Sequence, residues 1–175
     1  MPIDTSLKFI PINIAIVTIS DSRTLDNDTS GDTLEQRITS TGHQMIKRII
    51  IPDDIKKIKN TLEELSSDNE IDCIITTGGT GLTGRDSTPE AFKMIIEKEI
   101  PGFGEIFRMI SFKKISTSAI QSRAIAGIVK NKFLFALPGS PSACADAWDK
   151  ILKHQFDSNF KPCNLVDLFP RLLEK

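Results

Sequence analysis

Histidine, cysteine and net charge are all scarce in this chain, and each scarcity removes a class of function. The two histidines, His43 and His154, fall in no H-E-x-x-H or related spacing, which argues against a histidine-built metal centre. The three cysteines, Cys73, Cys144 and Cys163, are odd in number, far apart and never in a C-x-x-C pair. That pattern argues against a disulfide framework or a zinc site and fits a reducing cytosol. Cys73, inside an apolar run, reads as a small core residue. A formal net charge of −1 offers no electrostatic case for nucleic acid or an anionic membrane. An anionic ligand would therefore need local features: backbone N–H groups, a few Arg or Lys, or a metal. Long apolar runs are lacking too. The run from Phe9 to Ile19 is shorter than the about 20 residues that span a bilayer. It has neither the charged lead-in nor the small-residue cleavage site of a signal peptide, and no lipidation motif is present. The expectation is a cytoplasmic protein that engages no membrane and no nucleic acid.

What is present is an ordinary globular composition. The 175 residues are 39% hydrophobic and 26% charged, enough to bury a core and short enough for one domain. We expect a single domain over 1–175, with an N-terminal arm at 1–11 and a C-terminal tail at 156–175 packed on the body. Neither repeats nor low-complexity segments interrupt it. Ile12 to Ile19 reads as a strand covered on both faces, being β-branched and nearly all apolar, Gln44 to Ile51 as a second strand and Ile71 to Thr77 as a third, buried one. Gly31 to Gly42 carries Leu34 and Ile38 at helical spacing and ends on glycine. Asp53 to Asp68 carries Ile55, Ile58, Leu62 and Leu65 at intervals of three and four, with aspartates at its start. Ser87 to Glu99 opens as a helix, with Thr88 as cap, Pro89 in the first turn and Glu90 at the positive end of the dipole. Gly102 to Lys114 reads as another helix. Ala124 to Leu137 reads as two strands around a Lys-Asn-Lys turn, followed by a helix with Ala143, Ala147 and Ile151 on one face. In the tail, Leu165, Val166, Leu168 and Phe169 need cover. Alternation of this kind predicts an α/β fold: three layers, α/β/α, around a mainly parallel sheet.

In such sheets ligands bind at the carboxyl ends of the strands. The segments there are Ser20 to Asp32, Pro52 to Asp54, Gly78 to Asp86 and Pro138 to Ala143. Four glycines within seven positions, Gly78, Gly79, Gly81 and Gly84, need a reason, because a glycine costs about 0.5–1 kcal/mol relative to alanine. Structural turns explain one or two of them, and a backbone brought close to a ligand explains all. The run matches neither the P-loop nor the G-x-G-x-x-G pattern. Taken singly, each segment has a plainer reading: Pro138 to Ser142 as a helix cap, Asp53 and Asp54 as helix-start charges, Ser20 to Asp32 as a loop. Their shared position at one sheet edge favours an anion cradle next to carboxylates, the setting of a phosphate ligand with a divalent metal.

The runs "TTGGTGLTGRDSTPEA", "PGFGE", "QSRA" and "LPGSPSA", with the earlier "DTSGD" and "PDD", together resemble the molybdopterin-binding MoaB/MogA family. The likeness spans about Ile12 to Asn164 and lies nearest the B-type members. It implies a symmetrical trimer or hexamer that binds molybdopterin and, in active members, transfers adenylyl from ATP to molybdopterin with Mg²⁺. Asp53 and Asp86 match the family's two key acidic positions and would hold the metal. Gly78, Gly79, Thr80 and Gly81 would meet nucleotide phosphate. Arg85 would neutralise charge or pair with Asp86 or a neighbour. Pro138, Gly139 and Ser140 would contact the pterin or its phosphate. Ser20, Asp21, Asp28, Ser30 and Gly31 would form the opposite wall. Lys113, Lys114 and Arg123 are open between contact with an anionic ligand and, by default, solvated charges, and Phe107, Met109 and Phe112 read as core or subunit interface rather than a cofactor stack. Glu105 is open between ligand contact and loop tie. The alternatives are a non-catalytic molybdopterin carrier or scaffold in the same pathway, and a generic nucleotide-binding regulator or assembly subunit.

Overall fold

Strand β1 (Asn13–Ile19) shows how one sheet supports two cores. Successive side chains of a strand point to opposite faces. Ile14 and Ile16 enter one apolar cluster, while Ala15, Val17 and Ile19 enter the other, and all of them are buried. A strand covered on both faces has no solvent side, so its sequence shows no polar alternation. The computed structural model describes residues 3–174. After β1 come α1 (Thr29–Ser40), β2 (Gln44–Ile51), α2 (Ile55–Ser67), β3 (Cys73–Thr77), α3 (Thr88–Ile95), β4 (Lys98–Glu99), α4 (Pro101–Ile115), β5 (Ile125–Val129), β6 (Lys132–Leu137) and α5 (Pro141–Ala147). A π turn, Trp148–Leu152, continues α5 towards Gln155.

The six-stranded sheet has the order β2-β1-β3-β6-β5-β4. Strands β2, β1, β3 and β6 run parallel. β5 is antiparallel to β6, and β4 to β5. The antiparallel edge arises at the tight turn through Lys130 and Asn131, because so short a link can only fold the chain straight back. Leu34 and Ile38 of α1, Phe103 and Phe107 of α4, and Cys144 and Ala147 of α5 cover one face, joined by Trp148 and Phe156. Ile58, Leu62 and Leu65 of α2, with Ala91 and Phe92 of α3, cover the other. Burying each large apolar side chain contributes about 1.5–3 kcal/mol, so each cluster fastens its helix layer to the sheet. The expected three-layer α/β/α architecture is the one observed.

Several boundaries differ from the sequence expectation for identifiable reasons. α1 begins at Thr29, before Gly31, because the Asp28 carboxylate caps it by accepting from the Gly31 N–H. The run from Ser87 to Glu99 is not one helix. It stops at Ile95, and Lys98–Glu99 pairs with β5, with the Glu97 and Ile100 N–H groups donating to Ile128 and Ala126. Sheet pairing here overrides local helix preference. Thr88 is not the cap. It is the first helical residue, fully buried, and its hydroxyl donates to the Gly78 carbonyl at 3.0 Å. Ser87 stands at the cap position, its hydroxyl turned to Asp53. At the other end of the molecule the N-terminal arm meets the tail region, the Asp4 N–H donating to Asn159 and the Ile10 N–H to the Ser158 hydroxyl. In the tail Val166 is buried, Leu165 and Phe169 are half-buried against the first cluster, and Leu168 stays exposed.

Connections leave β1 and β3 in opposite directions. From β1 the chain passes through α1 to β2, then returns through α2 to β3 on the other side of β1. The carboxyl ends of β1 and β3 therefore flank a topological switch point, where open α/β sheets form a crevice.

Candidate active site

β1 ends into Ser20, β3 into Gly78 and β6 into Pro138, and these strands are neighbours in the sheet. A cavity of about 420 Å³ opens over the ends of β3 and β6. Gly78, Gly79, Thr80 and Gly81 line one side, Pro138, Gly139 and Ser140 another, and Asp86 its margin. The two turns are tied together. The Gly78 N–H donates to the Leu137 carbonyl at 3.0 Å, and the Thr77 hydroxyl to the Pro138 carbonyl at 3.0 Å. The N–H groups of Gly79 and Thr80 donate to nothing among the described residues.

The glycines have separate causes. Gly78 has φ +105, and a Cβ there would overlap the Ile19 carbonyl oxygen of β1. Gly79 has φ +64; a Cβ would sit 2.7 Å from Asp53 Oδ2 and overlap the Thr88 hydroxyl. At Gly81 a Cβ would lie 2.8 Å from Asp86 Oδ2. Gly84 faces open space. Two of the four glycines thus make room for the protein's own carboxylates, a role beyond the expected approach to a ligand.

Those carboxylates are Asp53 and Asp86, the two expected metal positions. Asp53 leaves β2 in the Pro52-Asp53-Asp54 turn, where Asp54 caps α2 through the Lys57 N–H. Asp53 Oδ1 accepts from the Ser87 N–H at 3.1 Å and from its hydroxyl at 2.7 Å. Its Oδ2 receives no hydrogen bond among the described residues. Asp86 accepts from the Thr83 N–H at 2.9 Å and from the Thr83 hydroxyl. Burial alone would raise the Asp86 pKa. The Thr83 and Gly81 hydrogen bonds and the nearby Arg123 charge outweigh it and hold the carboxyl below the ordinary range. Among the described residues no group of three or more His, Cys, Asp or Glu could cage a metal. Asp86 lines the cavity, whereas Asp53 does not and stands against Gly79 behind the loop.

Arg85 pairs with Asp21, Nη2 to Oδ2 at 2.6 Å, rather than with Asp86. Asp21 Oδ1 also accepts from the Asp53 N–H at 3.2 Å. The loop after β1 is thereby joined both to the glycine loop and to the turn after β2. Ser20 anchors its own turn, its hydroxyl accepting from the Ser22 and Arg23 N–H groups. Asp28, Ser30 and Gly31, expected on the opposite wall, are buried behind it. The Ser30 hydroxyl donates to the Gly139 carbonyl at 2.8 Å, bracing the turn after β6 against α1. Asp28 accepts from Thr18, Gly31 and Arg48. Burial alone would raise its pKa, and these three partners together lower it. Arg48 also binds Asp32 and Glu35, at 2.7 and 2.8 Å, so one guanidinium holds three carboxylates.

Sequence reasoning missed the third wall. Phe107, Ser111 and Ile115 of α4 line the cavity, together with Gln121, Ser122 and Ala143. Phe107 is a core residue, as read, and it also faces the cavity. The i, i+4, i+8 spacing of Phe107, Ser111 and Ile115 places them on one helix face, and this signal was available. Arg123 is not a solvated charge, because it binds the glycine loop through three donors. Lys114 pairs with Asp146 at 2.7 Å, and Lys113 is exposed. Neither histidine lines the cavity. His43 is buried beside Phe9, Trp148 and Phe156, and His154 packs on Phe160.

Residues 15–158 match the family described as "Probable molybdopterin binding domain". The chain belongs to the molybdopterin-binding MoaB/MogA family. Molybdenum cofactor biosynthesis protein B of Escherichia coli (strain K12) is 40% identical over 159 residues, covering 91% of this chain and 94% of that protein. A "Probable molybdopterin adenylyltransferase" of Methanocaldococcus jannaschii is 43% identical over 151 residues, covering 82% of this chain and 89% of the relative. A crystal structure of molybdenum cofactor biosynthesis protein B, 40% identical, superposes with a TM-score of 0.80 over 82% of this chain and 90% of its own. All four strand-end segments, from Ser20 through Ala143, fall inside the family match, whereas most of the tail lies beyond it.

Proposed function

We propose that this protein acts in molybdenum cofactor biosynthesis by transferring an adenylyl group from ATP to the terminal phosphate of molybdopterin. A molybdopterin phosphate oxygen attacks the α-phosphorus of ATP, the bond from that phosphorus to the β-bridging oxygen breaks, and pyrophosphate leaves with the electron pair. The observation that carries this reading is one glycine loop that sets Gly79 and Thr80, whose N–H groups have no partner among the described residues, on the cavity lining, with the Asp53 carboxylate against Gly79 and the Asp86 carboxylate against Gly81. The names of the relatives point the same way.

The chemistry asks little of acid–base catalysis. A phosphate monoester, with a second pKa of about 6, is already ionised at neutral pH, so the attacking oxygen has no proton to surrender. A cavity with no histidine on its lining is compatible with that. The obstacle is that one anion attacks another, so the site must position both and neutralise charge. Among the described residues the adjacent guanidiniums are engaged: Arg85 with Asp21, and Arg123 with loop carbonyls and Glu90. Asp53 and Asp86 fit Mg²⁺, which takes one or two carboxylates and retains waters and phosphate oxygens. When bound, the ion supplies neutralisation of phosphate charge. The carboxylates themselves stay fixed, Asp53 by Ser87 and Asp86 by Thr83. Gly79 and Thr80 bind nucleotide phosphate through their amides. Pro138, Gly139 and Ser140 meet the pterin side, and Phe107 and Ile115 offer its ring system an apolar wall.

The working form in this reading is a cytoplasmic homotrimer or homohexamer. Ile106, Met109, Phe112 and Ile115 of α4 are large, apolar and exposed, which supports a subunit contact. Among the described residues no helix is long and apolar enough to cross a membrane. The test is pyrophosphate release by the purified protein given MgATP and molybdopterin, with controls lacking pterin or magnesium. Release that requires all three supports the adenylyltransferase. Tight pterin binding without release would move the function to a carrier.

A further inference from the structure

We infer that Arg123 is the positioning residue that sets the shape of loop 80–86 and, through it, the placement of Asp86. This inference rests on the reading of Asp86 as a metal-holding carboxylate. Between Gly81 and Asp86 the chain makes an excursion through Leu82, Thr83, Gly84 and Arg85, all exposed. None of these side chains enters the apolar clusters, so packing does not define the path. Polar ties must do so, and Arg123 supplies them at both ends. Its Nε donates to the Gly81 carbonyl at 2.7 Å and its Nη2 to the Asp86 carbonyl at 2.8 Å. Its backbone N–H donates to the Thr80 carbonyl at 3.1 Å. The remaining nitrogen, Nη1, forms an ion pair with Glu90 in the first turn of α3.

The geometry uses what is particular to arginine. A planar guanidinium presents donors in a fixed fork, so two carbonyls bound to it are held at a set separation. Those carbonyls belong to the residues that bracket the excursion. Glu90 fixes the azimuth of the fork, and α3 is itself anchored by buried Ala91 and Phe92. A lysine in the same place keeps the charge but offers one nitrogen to two acceptors. Arg123 also follows Ser122, which lines the cavity, and precedes Ala124, which is buried in the core, so its own backbone is held. The residue does not reach the cavity lining and acts through the loop.

The experiment compares wild type with Arg123→Gln and Arg123→Lys. Amide hydrogen exchange of the ligand-free proteins reads the loop directly. Exchange in peptides covering 80–87 is expected to rise in both variants, with peptides from β1, β3 and β6 unchanged. In turnover with MgATP and molybdopterin, kcat is expected to fall about 10–100-fold and the magnesium needed for half-saturation to rise, the range seen for supports of metal ligands. Molybdopterin affinity is expected to hold within about threefold, a split that general unfolding would not produce. Wild-type exchange in the loop of Arg123→Lys overturns the inference, whether or not Arg123→Gln folds. So does loosened exchange with an unchanged magnesium requirement. If wild type shows no turnover at all, the functional reading fails. Loop exchange and Mn²⁺ affinity, measured by paramagnetic relaxation, then decide the positioning role by themselves.

Discussion

Replacing Gly79 by alanine tests the site at its tightest point. The new Cβ would stand 2.7 Å from Asp53 Oδ2 and overlap the Thr88 hydroxyl, at a residue whose φ is +64. Left-handed backbone costs an L-residue about 1–2 kcal/mol. Thr88 cannot swing aside freely, because it is fully buried and its hydroxyl holds the Gly78 carbonyl. Losing that hydrogen bond adds about 0.5–1.5 kcal/mol. If Asp53 moves instead, it leaves the Ser87 N–H and hydroxyl at a similar cost. The sum is a loss of about 1.5–3.5 kcal/mol, which for a chain of this length lowers Tm by about 3–14 °C. The functional effect is larger. A misplacement of about 1 Å at the site can cost about 100-fold in rate, and either response, of Thr88 or of Asp53, displaces a group of the glycine loop or its carboxylate.

Gly84→Ala is the internal control. It lies in the same loop, its φ is not positive, and a Cβ there meets nothing within 4 Å. Its stability should stay within about 0.5 kcal/mol of wild type and its turnover within about threefold, since no site group is touched. Thermal unfolding and pyrophosphate release on the three proteins settle the matter. Equal behaviour of the two variants would refute the reasoning, because it would mean that the loop relaxes around any side chain and that glycine content is not tied to the carboxylates.

Three further outcomes follow. Asp86→Asn should lower turnover by several kcal/mol of transition-state stabilisation, about 100-fold or more, with molybdopterin affinity nearly intact; calorimetric titration of the pterin alongside turnover checks both, and unchanged turnover would remove Asp86 from the metal. Burial pushes the His43 pKa down to about 4 from 6.5. Its neutral form is the one folded protein tolerates, so its contribution is complete above pH 6.5 and is lost as pH falls towards 4, by roughly 3 kcal/mol in all. Urea unfolding from pH 7 to 4.5 should therefore weaken more steeply in wild type than in His43→Gln, and parallel curves would contradict the buried neutral imidazole. Asp28→Ala breaks a buried pair, for which losses of about 3–5 kcal/mol are usual. Arg48 keeps Asp32 and Glu35, so the low end is expected, and a loss below about 1 kcal/mol in chemical denaturation would deny Asp28 its bracing role.

How much of this was legible in the sequence depends on the reach of each interaction. β2, Gln44 to Ile51, is found with its written bounds, because hydrophobic runs between turn residues are local signals. The sheet edge holding the strand-end segments followed from the alternation of strand and helix. Thr88 misled, since a threonine before proline satisfies the local rule for a cap while its hydroxyl is claimed by Gly78, ten residues earlier. β4 was invisible, as two residues pairing with β5 carry no pattern of their own. Arg123 was unreadable for the same reason: its acceptors are carbonyls about forty residues back in the chain, and carbonyls have no sequence identity. Asp28 and Ser30 were visible as polar residues near a strand end, but burial, which turns them from wall to brace, is decided by α1 packing over them.

The glycine loop joins these two kinds of legibility. Its composition signalled a close approach, and a reader of sequence naturally supplies a ligand as the thing approached. The structure puts Asp53 behind Gly79 and Asp86 behind Gly81, so the approach is first of all internal. Donor amides and acceptor carboxylates are thereby brought together along one short stretch of backbone. A lone anion offered to that edge would meet attraction from the Gly79 and Thr80 amides and repulsion from the carboxylates beside them. A phosphate accompanied by a divalent cation meets attraction from both. In the proposed function, the steric need for glycine and an electrostatic preference for a metal-bound phosphate would be consequences of the same packing. A substitution that disturbs one, as Gly79→Ala should, ought to disturb the magnesium dependence along with the rate.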